Sequence, residues 1–235
     1  MASLFYLSFA VFLLGMAWRV SAWLRAPVPL KIPLTPGPST NTGVAARLAG
    51  EMVLFRSLWR ADKALWPAAW IFHLALVLLA VGHFVGLVLA IECPRLSQIG
   101  GGVAGILGML PLLYLLVRRF LVERVRYISV FGDYFALALL LLVIVTGNQM
   151  RFLGGLDLVK ARAFVAGLLA LHPVPPPSNA AFIIHLLGVC ALLVYIPFSK
   201  LMHFGGIFLS PTLNQTNDPR QRRHVNPWDH ETTST

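Results

Sequence analysis

Four histidines lie in strongly apolar sequence as two spaced pairs: His73 and His83, ten residues apart, and His185 and His203, eighteen apart. A titratable side chain at membrane depth is costly, usually faces the bundle interior and marks a functional position by default. Neutral imidazole is also a nitrogen ligand for iron. The arrangement points to two bis-histidine haems stacked across a bilayer. Zinc or copper is the lesser reading, since zinc takes four protein ligands, or three and a water, and no sulfur or carboxylate accompanies these histidines. A lone buried histidine is ordinarily a hydrogen-bonded core residue, but four in two compatible pairs favour ligation. His172, His224 and His230 fall in loops or the tail, where solvation accounts for them.

The elements that must hold these residues are apolar helices. Of the 235 residues, 57% are hydrophobic and 12% charged, with a mean hydropathy of +0.75. Soluble domains carry about 25% charged residues, so the chain lacks the polar surface of a water-exposed globule and reads as an integral membrane protein. A spanning helix needs roughly 20 apolar residues. Five stretches qualify, at about 3–23, 66–91, 99–118, 128–150 and 181–204. The first ends in Val20-Ser21-Ala22, which resembles a signal-peptide cleavage site. It lacks a basic leading region and its apolar run is long, so a retained helix is expected.

The net charge of +10 does not indicate nucleic acid, because the basic residues flank the apolar runs. Loop 24–65 (Arg25, Lys31, Arg47, Arg56, Arg60, Lys63), loop 118–127 (Arg118, Arg119, Arg124, Arg126) and the C-terminal end (Lys200, Arg220, Arg222, Arg223) carry fourteen of them. The opposite side has Arg95, Arg151, Lys160 and Arg162. That bias predicts an N-terminus outside and a C-terminus in the cytoplasm. The first cytoplasmic loop begins proline-rich and is expected to form an interfacial amphipathic helix over about 43–62. The outer loop 151–180 ends in a stiff polyproline-like connector after His172. Residues 1–210 form the expected membrane domain, and 211–235 a polar cytoplasmic tail.

Cys93 and Cys190 form neither a C-x-x-C pair nor a C-x-x-C-H haem-attachment motif. Any haem is therefore held by axial ligation and packing, as in b-type sites. Antiparallel spans two and five set His73 opposite His203 near the cytoplasm, and His83 opposite His185 near the outer surface. Ten residues of helix rise about 15 Å, and eighteen about 27 Å if straight. The two do not match, and Pro197 between the ligands of the fifth span is a candidate kink. Small residues beside the ligands (Gly82, Gly86, Gly188, Gly205 and Gly206) leave room for a planar cofactor and equally promote helix packing. Lys200 and Arg151 are candidates for a propionate partner or for ordinary anchors, and Asp133 for a cap or salt-bridge partner.

At these spacings the sequence resembles the cytochrome b gamma subunit of respiratory nitrate reductase over about residues 1–210. The segment Tyr195-Ile-Pro-Phe-Ser-Lys-Leu-Met-His203-Phe-Gly-Gly, with Ser210-Pro-Thr and Arg223-His-Val-Asn-Pro-Trp228, looks closer to the DsrM branch. That branch is the membrane cytochrome of the complex associated with dissimilatory sulfite reductase.

The resemblance implies a five-transmembrane-helix bundle with two haems b in a bacterial cytoplasmic (inner) membrane. It implies electron transfer between the quinone pool and a cytoplasmic iron–sulfur, heterodisulfide-reductase-like subunit, beside a second membrane subunit and periplasmic redox subunits. By position, His73 and His203 hold the haem near the cytoplasmic partner, and His83 and His185 the distal haem near quinone. The nitrate reductase subunit has a quinone-site lysine on its third helix; Gly100-Gly-Gly-Val103 here has none, so no quinone residue is assigned. The chain alone holds no complete catalytic centre and no catalytic residue is assigned. The alternatives are a true nitrate reductase gamma subunit, or a haem-free anchor or small transporter. No repeat symmetry or broken-helix pair supports transport.

Overall fold

In a computed structural model, residues 1–27, 36–89, 91 and 98–218 are described. Five helices are long and apolar enough to cross a membrane: Ala2–Arg25, Leu65–Val88, Gly101–Leu121, Phe131–Phe152 and Ala180–Phe198, here spans one to five. Span two packs on three, three on four, four on five, and five on one. Among the described residues, spans two and five are not packed along their lengths.

Span one shows why the row closes at its far end. Leu7 and Leu14 are 63% and 71% exposed, whereas the small residues Ser8 and Gly15, one heptad apart, are buried. The large side chains meet lipid and the small ones let span five approach. The approach is close enough that a Cβ on Gly15 would lie 2.8 Å from Pro197 Cβ. Gly108 plays the same part in span three, where a Cβ would meet Ile144 at 3.2 Å and Ala75 at 3.4 Å.

The fifth span departs from the sequence-based expectation of one helix over 181–204. Its α-helix runs Ala180–Tyr195, and two 3-10 turns follow, Ile196–Phe198 and Lys200–Met202. Ser199 between them is extended, with φ −120° and ψ 175°. Pro197 has no N–H to continue the helix, and the Ser199 hydroxyl accepts from Leu201 N–H at 3.2 Å to start the next turn. His203 then opens a separate short helix, His203–Leu209. The straight-helix rise of about 27 Å does not apply.

Both ends of the bundle carry more structure than a loop. The interfacial helix expected over 43–62 is two helices, Asn41–Leu54 and Arg56–Ala61, divided at Phe55 with φ 48°. Trp66 and Trp70 at the base of span two donate their indole N–H groups to Leu54 O (2.7 Å) and Val53 O (2.9 Å). They satisfy carbonyls that a helix end leaves free. The start of the tail, Pro211–Asn214, packs on the same helix, and Asn217 N–H donates to Pro38 O at 2.8 Å.

At the opposite end, the 151–180 loop contains an unforeseen helix, Leu158–Leu169. Asp157 caps it by accepting from Lys160 N–H at 3.0 Å. Its buried face, Ala161, Phe164 and Leu168, packs on Phe182, Tyr6 and Met150. Tyr6 donates its hydroxyl to Leu168 O at 3.0 Å.

Two predictions follow from this packing. Gly15→Leu forces a side chain into Pro197 and is expected to destabilise the bundle by about 1–3 kcal/mol. It should lower the unfolding temperature in detergent, whereas Gly101→Ala, whose Cβ meets nothing within 4 Å, should not. The Lys160 N–H holds the Asp157 carboxyl below the usual carboxylate range. Its capping contribution is therefore present above the unfolded value and lost as pH falls through the lower folded one. Protection of the amides at the start of the Leu158–Leu169 helix, taken relative to their intrinsic exchange rates at each pH, should fall in acid in the native chain, and less so in Asp157→Asn.

Candidate cofactor site

Two pairs of imidazoles bridge the space between span two and the fifth-span region. The ring centroids of His73 and His203 are 5.8 Å apart, with planes at 84°. Those of His83 and His185 are 6.3 Å apart and nearly parallel, at 5°. Lys200, Arg118 and Arg119 mark the His73 end of the bundle, and Arg151 and Arg162 the His83 end.

Each ring is oriented by its Nδ1. His73 Nδ1 lies 2.7 Å from Ala69 O, His83 Nδ1 2.7 Å from Leu79 O, and His203 Nδ1 3.0 Å from Lys200 O. His185 Nδ1 crosses to span four, 2.9 Å from Val143 O. A carbonyl only accepts, so in all four rings Nδ1 carries the proton and Nε2 keeps its lone pair. That is the tautomer of a metal-ligating imidazole whose other nitrogen is held by a backbone carbonyl.

The spacing also fits. Imidazole nitrogens bond such metals at about 2 Å, which places the centroids of two opposed rings about 6 Å apart. Among the described residues no group of three or more His, Cys, Asp and Glu side chains is arranged to hold a metal. A tetrahedral zinc site is thus not built, and bis-imidazole ligation is what these residues suit.

Several supporting residues carry no signal in the spacing of histidines. Phe55 stands edge-on to His73, centroids 5.0 Å apart at 81°, delivered there by the break between the two interfacial helices. Thr146 Oγ1 lies 3.1 Å from His185 Nδ1 while its hydroxyl donates to Leu142 O at 2.7 Å. Gly147 lies against the same ring, where a Cβ would sit 3.4 Å from His185 Cε1. A polar residue beside a glycine in an otherwise apolar run was the available clue.

Span two leaves α geometry immediately after His83, forming a π turn over Phe84–Val88. Arg162 of the Leu158–Leu169 helix donates Nε–H to Gly86 O there at 3.0 Å. Such π turns cluster at functional sites because they re-aim side chains and free carbonyls.

Gly188 faces Val143 Cγ2, 3.0 Å from where its Cβ would stand, and so serves helix packing. A Cβ on Gly206 would meet Trp23 at 3.5 Å and one on Gly205 at 3.8 Å, whereas one on Gly86 would meet nothing within 4 Å. Lys200 pairs with Asp133, Nζ to Oδ1 2.9 Å, and Asp133 caps Val130 N–H at 3.1 Å. Arg151 lines a groove of about 230 Å³ with Gly102, Val103, Ile106 and Phe152. Cys190 is buried, and His172 is exposed in its loop. Cys93, His224 and His230 lie outside the described residues.

The profile of the nitrate reductase gamma subunit matches residues 57–214. The Hdr-like menaquinol oxidoreductase cytochrome b-like subunit of Archaeoglobus fulgidus is 33% identical, over 95% of this chain and 81% of its own. Its counterpart in Archaeoglobus profundus is 32% identical with the same coverage. The respiratory nitrate reductase 1 gamma chain of Escherichia coli is 26% identical, over 63% of this chain and 78% of its own.

If the parallel pair is a ligand pair, crowding His185 must cost it its metal. Gly147→Val is expected to halve the iron bound per chain, measured by elemental analysis of the purified protein. Gly101→Ala should leave the iron content unchanged.

Proposed function

The chain belongs to the nitrate reductase gamma subunit family, and from that premise we propose that it is a di-haem cytochrome b carrying electrons between the membrane quinone pool and an iron–sulfur subunit. The observation that carries the proposal is the set of four imidazoles in two facing pairs, each with Nδ1 on a carbonyl. His73 and His203 hold one haem, and His83 and His185 the other. Bound there, haem iron supplies one-electron redox chemistry.

The chain's own residues set ligation, burial and access. Apolar side chains of spans two, three and four, with Phe72, Leu112 and Ile144 buried among them, form the low-dielectric wall behind span two. Phe55 covers the edge of His73, and the Leu158–Leu169 helix, tied by Arg162 to the π turn, covers the other end. The basic His73 end lies in the cytoplasm by the positive-inside rule, so the His73–His203 centre serves the cytoplasmic partner. Quinone then exchanges electrons and protons at the His83–His185 end.

That partner is heterodisulfide-reductase-like and works in dissimilatory sulfur metabolism, beside a second membrane subunit and periplasmic redox subunits in a cytoplasmic-membrane complex. Support comes from the ending around Tyr195–His203 and Ser210-Pro-Thr. The two Archaeoglobus relatives, named as Hdr-like menaquinol oxidoreductase subunits, also match a larger share of the chain at higher identity than the nitrate reductase subunit does.

A dithionite-reduced minus oxidised spectrum should show a b-type α band, with a pyridine haemochrome assay counting about two haems per chain. His83→Ala should lose one haem together with reduction by quinol. His203→Ala should lose the other together with electron transfer to the cytoplasmic partner. A correctly inserted, colourless protein, or both haems retained in either variant, would refute the assignment. Co-purification with a molybdenum enzyme would instead identify a nitrate reductase subunit.

A further inference from the structure

We propose that Asp133 is a positioning residue for His203, acting through Lys200 to hold the broken end of span five so that the imidazole faces His73. The proposal rests on the di-haem reading for its consequence, although the tether itself is a feature of the chain.

After Tyr195 the backbone has no continuous helix to fix its direction. Two 3-10 turns and one extended residue intervene before His203. A segment of that kind takes its geometry from outside contacts, and the N-terminal turn of span four supplies them on both sides of the break. Before it, Tyr195 donates its hydroxyl to Gly132 O at 2.8 Å. After it, Lys200 Nζ reaches Asp133 Oδ1 at 2.9 Å and Oδ2 at 3.0 Å. Lys200 is the same residue whose carbonyl orients His203, 3.0 Å from Nδ1. The chain of contacts thus runs from Asp133 through Lys200 to the ring.

Asp133 is suited to anchor this chain. Its side chain is 7% exposed, whereas that of Lys200 is 73% exposed. The lysine therefore folds down from solvent to a fixed carboxylate. Asp133 is itself held by accepting from Val130 N–H at 3.1 Å, and Arg119 Nη1 stands 3.6 Å away. Arg119 in turn donates to Ser129 Oγ at 2.7 Å. A bidentate ammonium–carboxylate contact between backbone segments 67 residues apart has no role in the fold of either helix alone. It closes the space between the start of span four and the turn that presents His203.

The test compares Asp133→Asn and Lys200→Met in the full chain. Asparagine keeps an acceptor for Val130 N–H, so the cap survives while the tether is lost; Lys200 is exposed, so its replacement leaves no buried gap. Amide exchange over residues 199–205 should be about ten-fold faster in both variants, as for one lost charge-assisted contact. This readout needs no haem.

In the oxidised holoprotein, perpendicular imidazole planes keep two iron d orbitals nearly degenerate. The His73–His203 centre should therefore give the more anisotropic electron paramagnetic resonance signal, and the parallel His83–His185 centre the less. Both variants should shift or broaden the first signal and leave the second unchanged. Unaltered exchange at 199–205 would overturn the tether whatever the haem content. So would unaltered g-values with midpoint potentials moving in opposite directions, the mark of simple charge removal. A colourless wild-type chain with accelerated exchange in the variants would instead sustain the tether and defeat the cytochrome assignment.

Discussion

An imidazole set between apolar helices has two nitrogens to satisfy, and a backbone carbonyl satisfies one. That constraint organises the molecule. In all four rings Nδ1 is taken by a carbonyl 2.7 to 3.0 Å away, which leaves the Nε2 lone pair to be satisfied by something else. A neutral ring nitrogen without a partner in a bilayer is costly. Under the proposed di-haem reading, opposed pairs with no helix packed between them among the described residues answer that cost through a shared iron. The gap between two otherwise close-packed ends of a helix row is the shape such a group requires.

Span four, which carries none of the four histidines, does much of the orienting. Val143 O and Thr146 hold His185, Gly147 makes room for its ring, and Gly132 and Asp133 bracket the turn before His203. Span two can orient its own histidines through carbonyls one turn earlier, at Ala69 and Leu79. His185 of span five is held differently, its ring turned to Val143 O of span four. The outer arginine, Arg162, performs a related task by stabilising the carbonyl that the π turn after His83 leaves exposed. Each case is a neighbouring contact fixing a histidine or the backbone beside it, the pattern that the proposed metal centres would require of their surroundings.

The sequence showed the parts of this whose signals are local. Five apolar runs and the two histidine spacings need only composition and counting, and Pro197 marked the break because proline removes a donor whatever surrounds it. The division of the interfacial helix at Phe55 was not legible. A non-glycine residue at φ 48° is chosen by tertiary contacts, here the indoles of Trp66 and Trp70 on the preceding carbonyls. The Leu158–Leu169 helix was legible and missed: Asp157 is a good cap, and Ala161, Phe164, Val165 and Leu168 recur at helical spacing. The proline run after it drew attention to an irregular loop. Span four's part in orienting the histidines was hidden because a backbone carbonyl acceptor has no sequence signature.

The same physics explains how spacings of ten and eighteen residues serve one pair of helices. Were span five straight, its histidines would be about 12 Å further apart along the axis than those of span two, and at most one pair could face. Tilt cannot remove a difference of two turns. Ending the α-helix at Tyr195 does, because an extended residue at Ser199 interrupts the helical path and His203 starts a separate helix. The interrupted segment lacks the hydrogen-bond ladder that would define it, so it must be tied to something rigid. The close seat of Pro197 on Gly15, the Tyr195–Gly132 bond and the Lys200–Asp133 pair are three such ties, from spans one and four. The longer spacing therefore reflects the chain needed to turn and be fastened.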